Sequence, residues 1–357
     1  MQQAIYRIID ANFNRAREAL RVVEDFCRFY LNDPALSGLA KELRHRLCAT
    51  IGKLDTFALV ACRDTQNDVG TDIQVQGQLK RQNLDDMFIA AAKRLPEALR
   101  TISEAAASIS PAISAQIEKI RYESYTLEKD ILAKSNAVGK FAGVRLYVIL
   151  TCDLPVDIIR ITRSCAQGGA DCIQLRTKML ADEEAFNIAC EVAAICRQHN
   201  VVSIINDRVD LALASGADGV HLGQGDLPIA AARKLANRPF IFGATTHNTH
   251  ELEMAIAEGA DYVGVGPAFT SCTKPTLTPG GPQYLKEAAD MLAATAIPGV
   301  AIGGITLENL PQVLSLGIKA VAVGNAIINS KSPADACKAF KKALITAWPD
   351  ELSTTGA

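Results

Sequence analysis

Between residues 143 and 330 one short phrase recurs four times, each time where a parallel sheet needs a strand. The copies are Gly169-Ala170-Asp171-Cys172-Ile173, Gly216-Ala217-Asp218-Gly219-Val220, Gly259-Ala260-Asp261-Tyr262-Val263 and Gly317-Ile318-Lys319-Ala320-Val321. Their starts lie 47, 43 and 58 residues apart, about two strand–helix units each time. A glycine closing a helix, a short polar turn and a run of β-branched residues is how a helix hands over to a buried parallel strand. Further apolar runs at 146–150, 201–205, 240–244 and 300–302 each precede one of the copies. Eight strands alternating with helices predict an α/β fold, a closed (β/α)8 TIM barrel. Such a barrel carries its chemistry on the loops that follow its strands.

The 357 residues are 49% hydrophobic and 21% charged, enough to bury sizeable cores in one large or two smaller domains. A net charge of −2 lacks the basic footprint of a nucleic-acid binder. No apolar stretch is long enough for a membrane span, and the first residues resemble neither a signal peptide nor a transit peptide. The ten cysteines are scattered without a Cys-x-x-Cys pair, which predicts buried reduced thiols and a cytoplasmic protein.

Before residue 135 the pattern is helical, Arg-rich and nearly free of glycine. The expected organisation is an α-helical domain over 1–134, a linker over 135–142, the barrel over 143–347 and a tail over 348–357. The helical half repeats itself: Asn14-Arg15-Ala16-Arg17-Glu18-Ala19-Leu20-Arg21 returns 79 residues later as Lys93-Arg94-Leu95-Pro96-Glu97-Ala98-Leu99-Arg100. Arg15/Arg94, Glu18/Glu97 and Arg21/Arg100 stand at i, i+3 and i+6, beside an apolar stripe. Pro96 predicts a helix start or a kink there. Rows of this kind are ordinarily solvated ion pairs. Here two copies flank the loop 62–72, where Arg63, Asp64 and Asp68 suit a phosphate or a divalent cation.

In the barrel half, alternation at the end of the second strand points Gln174, Arg176 and Lys178 towards the mouth, an amide and two cations fit for a polyanion. Asp207 and Asp226 fall on neighbouring loops as a potential Mg²⁺ seat, Asp226 being equally a candidate helix N-cap. His221 reads as a packed or hydrogen-bonded histidine. Thr245 could bond a substrate heteroatom or cap the next helix. The stretch from Gly264 to Gly281 reads as a long loop able to close over a substrate, with Ser271, Thr273 and Lys274 as phosphate donors. Gly303-Gly304 and Gly324-Asn325 end the last two strands, where backbone N–H groups can approach a phosphate.

Taken in order, Gln174-Leu175-Arg176-Thr177-Lys178, Asn206-Asp207-Arg208, the run 219–226, Gly243-Ala244-Thr245-Thr246-His247, Gly266-Pro267-Ala268-Phe269 with Thr273-Lys274, and Gly303-Gly304-Ile305 resemble the thiamine-phosphate synthase family over about residues 143–345. The resemblance implies that a Mg²⁺-bound pyrimidine methyl diphosphate loses pyrophosphate and that a thiazole phosphate captures the resulting cation. It assigns the pyrimidine diphosphate to Gln174, Arg176, Lys178, Asn206, Thr245 and Lys274, with Arg176, Lys178 and Lys274 closest to the chemistry. It assigns Mg²⁺ to Asp207 and Asp226, and the thiazole phosphate to Ser271, Thr273, Gly304, Gly324 and Asn325. Ser271 stands where the family usually has Thr, and Asn325 where Ser is common.

The first half, from Arg7-Ile8-Ile9-Asp10-Ala11-Asn12 to Glu97-Ala98-Leu99-Arg100, resembles a small domain often fused to this synthase and similar to hydroxymethylpyrimidine-phosphate kinase. That implies ATP as a co-substrate. Charge grouping selects Arg15, Arg21, Arg63, Asp64, Asp68, Arg94 and Arg100 as its candidate site. The alternatives are a non-catalytic docking or regulatory helical module and, for the barrel, a generic phosphate-binding isomerase. The expected partners are small-molecule substrates, with neither nucleic acid nor membrane, and a homo-oligomer is compatible with the chain.

Overall fold

A computed structural model describes residues 2–70, 81–152, 154–236, 238–270, 280–295 and 297–348. The chain divides into two compact units, Met1–Leu132 and Ala133–Ala357.

The first unit is helical: α1 (Gln2–Asp25, continued by a π-helical turn Phe26–Tyr30), α2 (Pro34–Ile51), α3 (Thr56–Ala61), α4 (Leu84–Ala107) and most of α5 (Pro111–Ala142). The internal repeat is a packing repeat. Ala16, Ala19, Leu20 and Val23 of α1 are buried, as are their counterparts Leu95, Ala98, Leu99 and Ile102 of α4, all in one core. Alanines let the two helices approach closely while leucines fill the space between them. α4 continues as one helix past Pro96, so no helix begins there.

The second unit is a closed barrel of eight parallel strands in sequential order. They are β1 (Leu146–Leu150), β2 (Cys172–Leu175), β3 (Val202–Asn206), β4 (Gly219–Leu222), β5 (Ile241–Thr246), β6 (Tyr262–Val265), β7 (Gly299–Ile302) and β8 (Ala320–Val323). Strand alternation splits the apolar residues into two cores. Val148, Ile173, Ile205, Val220, Val263 and Val321 face the surrounding helices, whereas Tyr147, Cys172, Ile204, Ile241, Tyr262 and Ala322 fill the interior.

The four repeated glycines do what the spacing predicts. Gly169, Gly216, Gly259 and Gly317 all have φ between +73° and +96°, the left-handed conformation that ends a helix. The repeated aspartates have a use the sequence did not reveal. Asp171 accepts from the N–H groups of Arg145 and Leu146 at the start of β1. Asp218 does the same for Ser203 on β3, and Asp261 for Phe242 on β5. Each carboxylate caps the preceding strand and carries a lysine as well: Lys341 on Asp171, Lys140 on Asp218 and Lys134 on Asp261. The fourth copy has Lys319, which lies over the Trp348 ring instead.

Two of those lysines correct an expectation. Residues 135–142 are not a linker: α5 stays helical through Ala142, and its last turns close the N-terminal end of the barrel. Ala137 and Phe141 are buried there, and the Phe141 ring stacks on Tyr262 with centroids 4.0 Å apart. A small polar composition suggested a linker, but helical spacing puts Lys134, Ala137 and Phe141 on one stripe.

Candidate active site

The interior parity of the strands continues past their C-terminal ends and builds a cavity of about 360 Å³. Ile149 near the end of β1 and Thr151 just past it line the cavity, as do Gln174 near the end of β2 and Arg176 just past it, and Asn206, His221 and Thr245 close β3, β4 and β5. Gly303, Gly304, Gly324 and Asn325 complete the opposite wall. Polar groups in a half-open cleft at this end of a barrel fit a phosphorylated small molecule.

The two glycine corners are sterically obligatory. Gly304 has φ +62°, and a Cβ there would stand 2.6 Å from the Thr270 carbonyl oxygen. At Gly303, with φ +105°, a Cβ would meet Pro267 at 2.6 Å. Only backbone fits, so the chain itself forms this wall.

At the rim, Asp207 is held at φ +62°, unusual for a residue with a side chain, and its N–H donates to the His221 carbonyl at 2.9 Å. Burial holds the Asp207 carboxyl above its usual range. The neighbouring Asp226 carboxyl adds to this by hydrogen bond and like charge, while Lys178 and Arg176 oppose it. Asp226 is not a helix N-cap: its Oδ2 accepts from the Gly223 N–H at 2.7 Å, closing its own loop, and the next helix starts at Ile229. Two oxygen donors pressed together beside cations suit a small hard divalent ion that takes its remaining ligands from phosphate and water. Among the described residues no group of three or more His, Cys, Asp or Glu surrounds a metal position, so such an ion would depend on substrate oxygens.

Of the residues the sequence selected, Gln174, Arg176, Asn206, Thr245, Gly304, Gly324 and Asn325 line the cavity. Lys178 acts on Asp207 electrostatically, beside Asp226. Ser271, Thr273 and Lys274 lie outside the described residues. Thr151, His221, His247 and Thr270 also line the cavity and were not selected. Inward parity alone would have found Thr151 and His221. His247 is tied through Nδ1 to Glu251 at 2.8 Å.

In the helical unit the charged candidates spread over several partners. Arg63 grips the buried carboxylate of Asp10 with two bonds, at 2.6 and 2.8 Å. Asp64 accepts from the Asn67 N–H and side-chain amide, and Asp68 from the Gly70 N–H. Arg21 lies beside Glu24 and Asp25, Arg100 beside Glu104 and Glu118, and Arg15 donates to Asn12. Arg94 is exposed. Asp10, the buried anchor of this unit, was missed because a lone helical aspartate gives no signal until Arg63 arrives from 53 residues away.

The family model for thiamine monophosphate synthase matches residues 146–327, and the ThiD2 family model matches residues 7–130. A thiamine-phosphate synthase of Synechocystis sp. is 40% identical over 340 residues, covering 94% of this chain and 96% of that protein. One from Prochlorococcus marinus (strain MIT 9313) is 40% identical over 337 residues, covering 92% of this chain and 93% of its own. Among solved structures, thiamine phosphate pyrophosphorylase from Pyrococcus furiosus superposes with a TM-score of 0.51 at 31% identity, covering 57% of this chain and 97% of that one.

Proposed function

The chain belongs to the thiamine-phosphate synthase family, a transferase of thiamine biosynthesis with a kinase-like N-terminal part, and from that premise we propose how the residues on the page divide the work. The barrel joins an aminopyrimidine methyl diphosphate to a thiazole phosphate. The carbon–oxygen bond to the diphosphate breaks, pyrophosphate leaves with the electron pair, and the thiazole nitrogen supplies the pair that forms the new carbon–nitrogen bond. Asp207 and Asp226 would hold Mg²⁺, which would neutralise charge on the diphosphate. Arg176 forks onto the diphosphate oxygens and Lys178 adds a point charge, so both bind most strongly as leaving-group charge grows. Gln174 and Asn206 orient the pyrimidine end, and Thr245 serves the diphosphate. Gly304, Gly324 and Asn325 receive the thiazole phosphate; the family resemblance adds Ser271 and Thr273 to that phosphate and Lys274 to the diphosphate.

The observation carrying this reading is the convergence in one cavity of Gln174, Arg176, Asn206 and Thr245 with the two backbone-only corners, beside a carboxylate pair. Binding a phosphate alone gives no reason for two apposed carboxylates, which repel it unless a cation intervenes. The test supplies purified full-length protein with Mg²⁺, the pyrimidine diphosphate and the thiazole phosphate, and follows thiamine phosphate and pyrophosphate by chromatography. Absence of product at any Mg²⁺ concentration overturns the reading.

The helical unit, on the same premise, phosphorylates the pyrimidine monophosphate with ATP. The second reading, a module without chemistry, is favoured by Asp64 and Asp68 closing local turns and by Arg21 and Arg100 being ion-paired. Feeding the full-length protein pyrimidine monophosphate and thiazole phosphate with and without ATP decides between them. ATP-dependent thiamine phosphate supports the kinase.

A further inference from the structure

Behind the cavity wall a chain of hydrogen bonds crosses the barrel interior. Tyr147 Oη lies 2.9 Å from Tyr262 Oη, which lies 2.9 Å from His221 Nδ1, and His221 Nε2 lies 2.8 Å from Thr245 Oγ1. Tyr147, Tyr262 and His221 are all buried, and Thr245 opens onto the cavity. The barrel makes room for this chain. A Cβ at Gly243 would fall 2.1 Å from the Tyr262 ring, and one at Gly264 3.3 Å from His221 Cε1.

Counting hydrogens gives the chain a direction. Three hydroxyls and one neutral imidazole carry four hydrogens, and the chain has three links. One hydrogen is therefore left over, on Tyr147, on Tyr262 or on Thr245, and on Tyr262 it would be buried inside the barrel. At the Tyr147 end the surroundings are the apolar interior cluster, with the Phe141 ring centroid 6.3 Å away and the thiol of Cys172 as a weak acceptor. A spare hydroxyl hydrogen there would be buried without a good partner, which costs about 1–3 kcal/mol. At the Thr245 end it faces the cavity.

Resting on the synthase reading, we propose that Tyr262 and His221 are positioning residues that turn Thr245 into a dedicated hydrogen-bond donor towards an acceptor oxygen of the substrate diphosphate. Tyr147 donates to Tyr262, Tyr262 donates to Nδ1, and this fixes the tautomer in which Nε2–H donates to Thr245. The threonine hydrogen is then aimed into the cavity before substrate arrives. A donor preset towards an oxygen that gains negative charge acts on turnover more than on binding.

The test has two arms on the full-length protein. In protein labelled with ¹⁵N-histidine, the His221 signals, identified by their loss in His221→Gln, are expected to show protonated Nε2 and unprotonated Nδ1. A protonated Nδ1 in the resting protein overturns the proposal, whether or not the chain turns over. In the second arm, Tyr262→Phe keeps the ring against Phe141 and removes only the hydroxyl. Turnover is expected to fall about tenfold, with KM for the thiazole phosphate changed less than twofold. Adding Tyr262→Phe to Thr245→Val should cost nothing further, because both act through one hydroxyl. Losses that multiply in the double variant overturn the proposal. A chain that makes no thiamine phosphate at all overturns the substrate assignment, while the imidazole spectrum decides the direction of the hydroxyl by itself.

Discussion

The two ends of the barrel are built from the same charged residues and put them to opposite uses. At the N-terminal end, Asp171, Asp218 and Asp261 are each saturated by a lysine and by strand N–H groups. At the mouth, Asp207 and Asp226 face each other, and their repulsion is only partly offset by Lys178 and Arg176. The pKa directions follow. Burial raises the Asp218 carboxyl, but Lys140 and the Ser203 N–H and hydroxyl outweigh it, leaving a net shift downward. Burial and Asp226 together raise Asp207. A satisfied carboxylate stabilises the fold, whereas a frustrated one is a standing affinity for a proton or a cation.

The largest effect should come from the satisfied end. Asp261 has no exposed side chain and Lys134 is 9% exposed, so Asp261→Ala strands a buried ammonium and should cost about 3–5 kcal/mol. Denaturant unfolding measures this. A loss below about 1 kcal/mol would mean that solvent and the Gly259 carbonyl satisfy the Lys134 ammonium.

At the mouth the sign should reverse. Asp207→Asn should lower synthase turnover at least about a hundredfold, yet leave Tm at pH 7 equal or higher, since it removes a like-charge contact. Mg²⁺ with pyrophosphate should raise the Tm of the unsubstituted protein and not that of the variant. A clear fall in Tm would move Asp207 to the structural end of the comparison.

The pH dependence separates the ends again. With its folded pKa below the unfolded value, Asp218 contributes stability that is present above about pH 4 and lost as pH falls. With its folded pKa raised, Asp207 costs stability progressively as pH climbs from about 4 through the raised value. Tm scans should therefore show Asp218→Asn flattening the acid limb and Asp207→Asn flattening the limb above it. The same limb affected by both would erase the contrast.

The smallest effect belongs to Lys140→Ala. Its ammonium is half exposed, so losing the 2.8 Å pair with Asp218 should cost only about 0.5 kcal/mol. A loss like that of Asp261→Ala would show that the closing helix turns are held by charge more than by Phe141.

Much of the site could be read in advance because it follows strand parity. Gln174, Arg176 and Asn206 stand at inward positions, and residues two apart on a strand share a face whatever else the chain does. His221 obeys the same parity, yet its meaning depends on Tyr262 arriving 41 residues later. The closing helix was misread for a related reason. Residues 135–142 look permissive alone, and only the apolar floor of the barrel makes a buried stripe of Ala137 and Phe141 worthwhile.

By itself the sequence determined the eight strands and the helix-ending glycines, because these follow from steric rules acting over a few residues. Tertiary structure alone decided which charges meet. Lys134 reaches Asp261 across 127 residues and Lys341 reaches Asp171 across 170, and nothing local distinguishes those lysines from solvated ones. Barrel closure brings one set of aspartates to lysines and the other to each other, and the Coulomb terms that separate structure from function exist only after that closure.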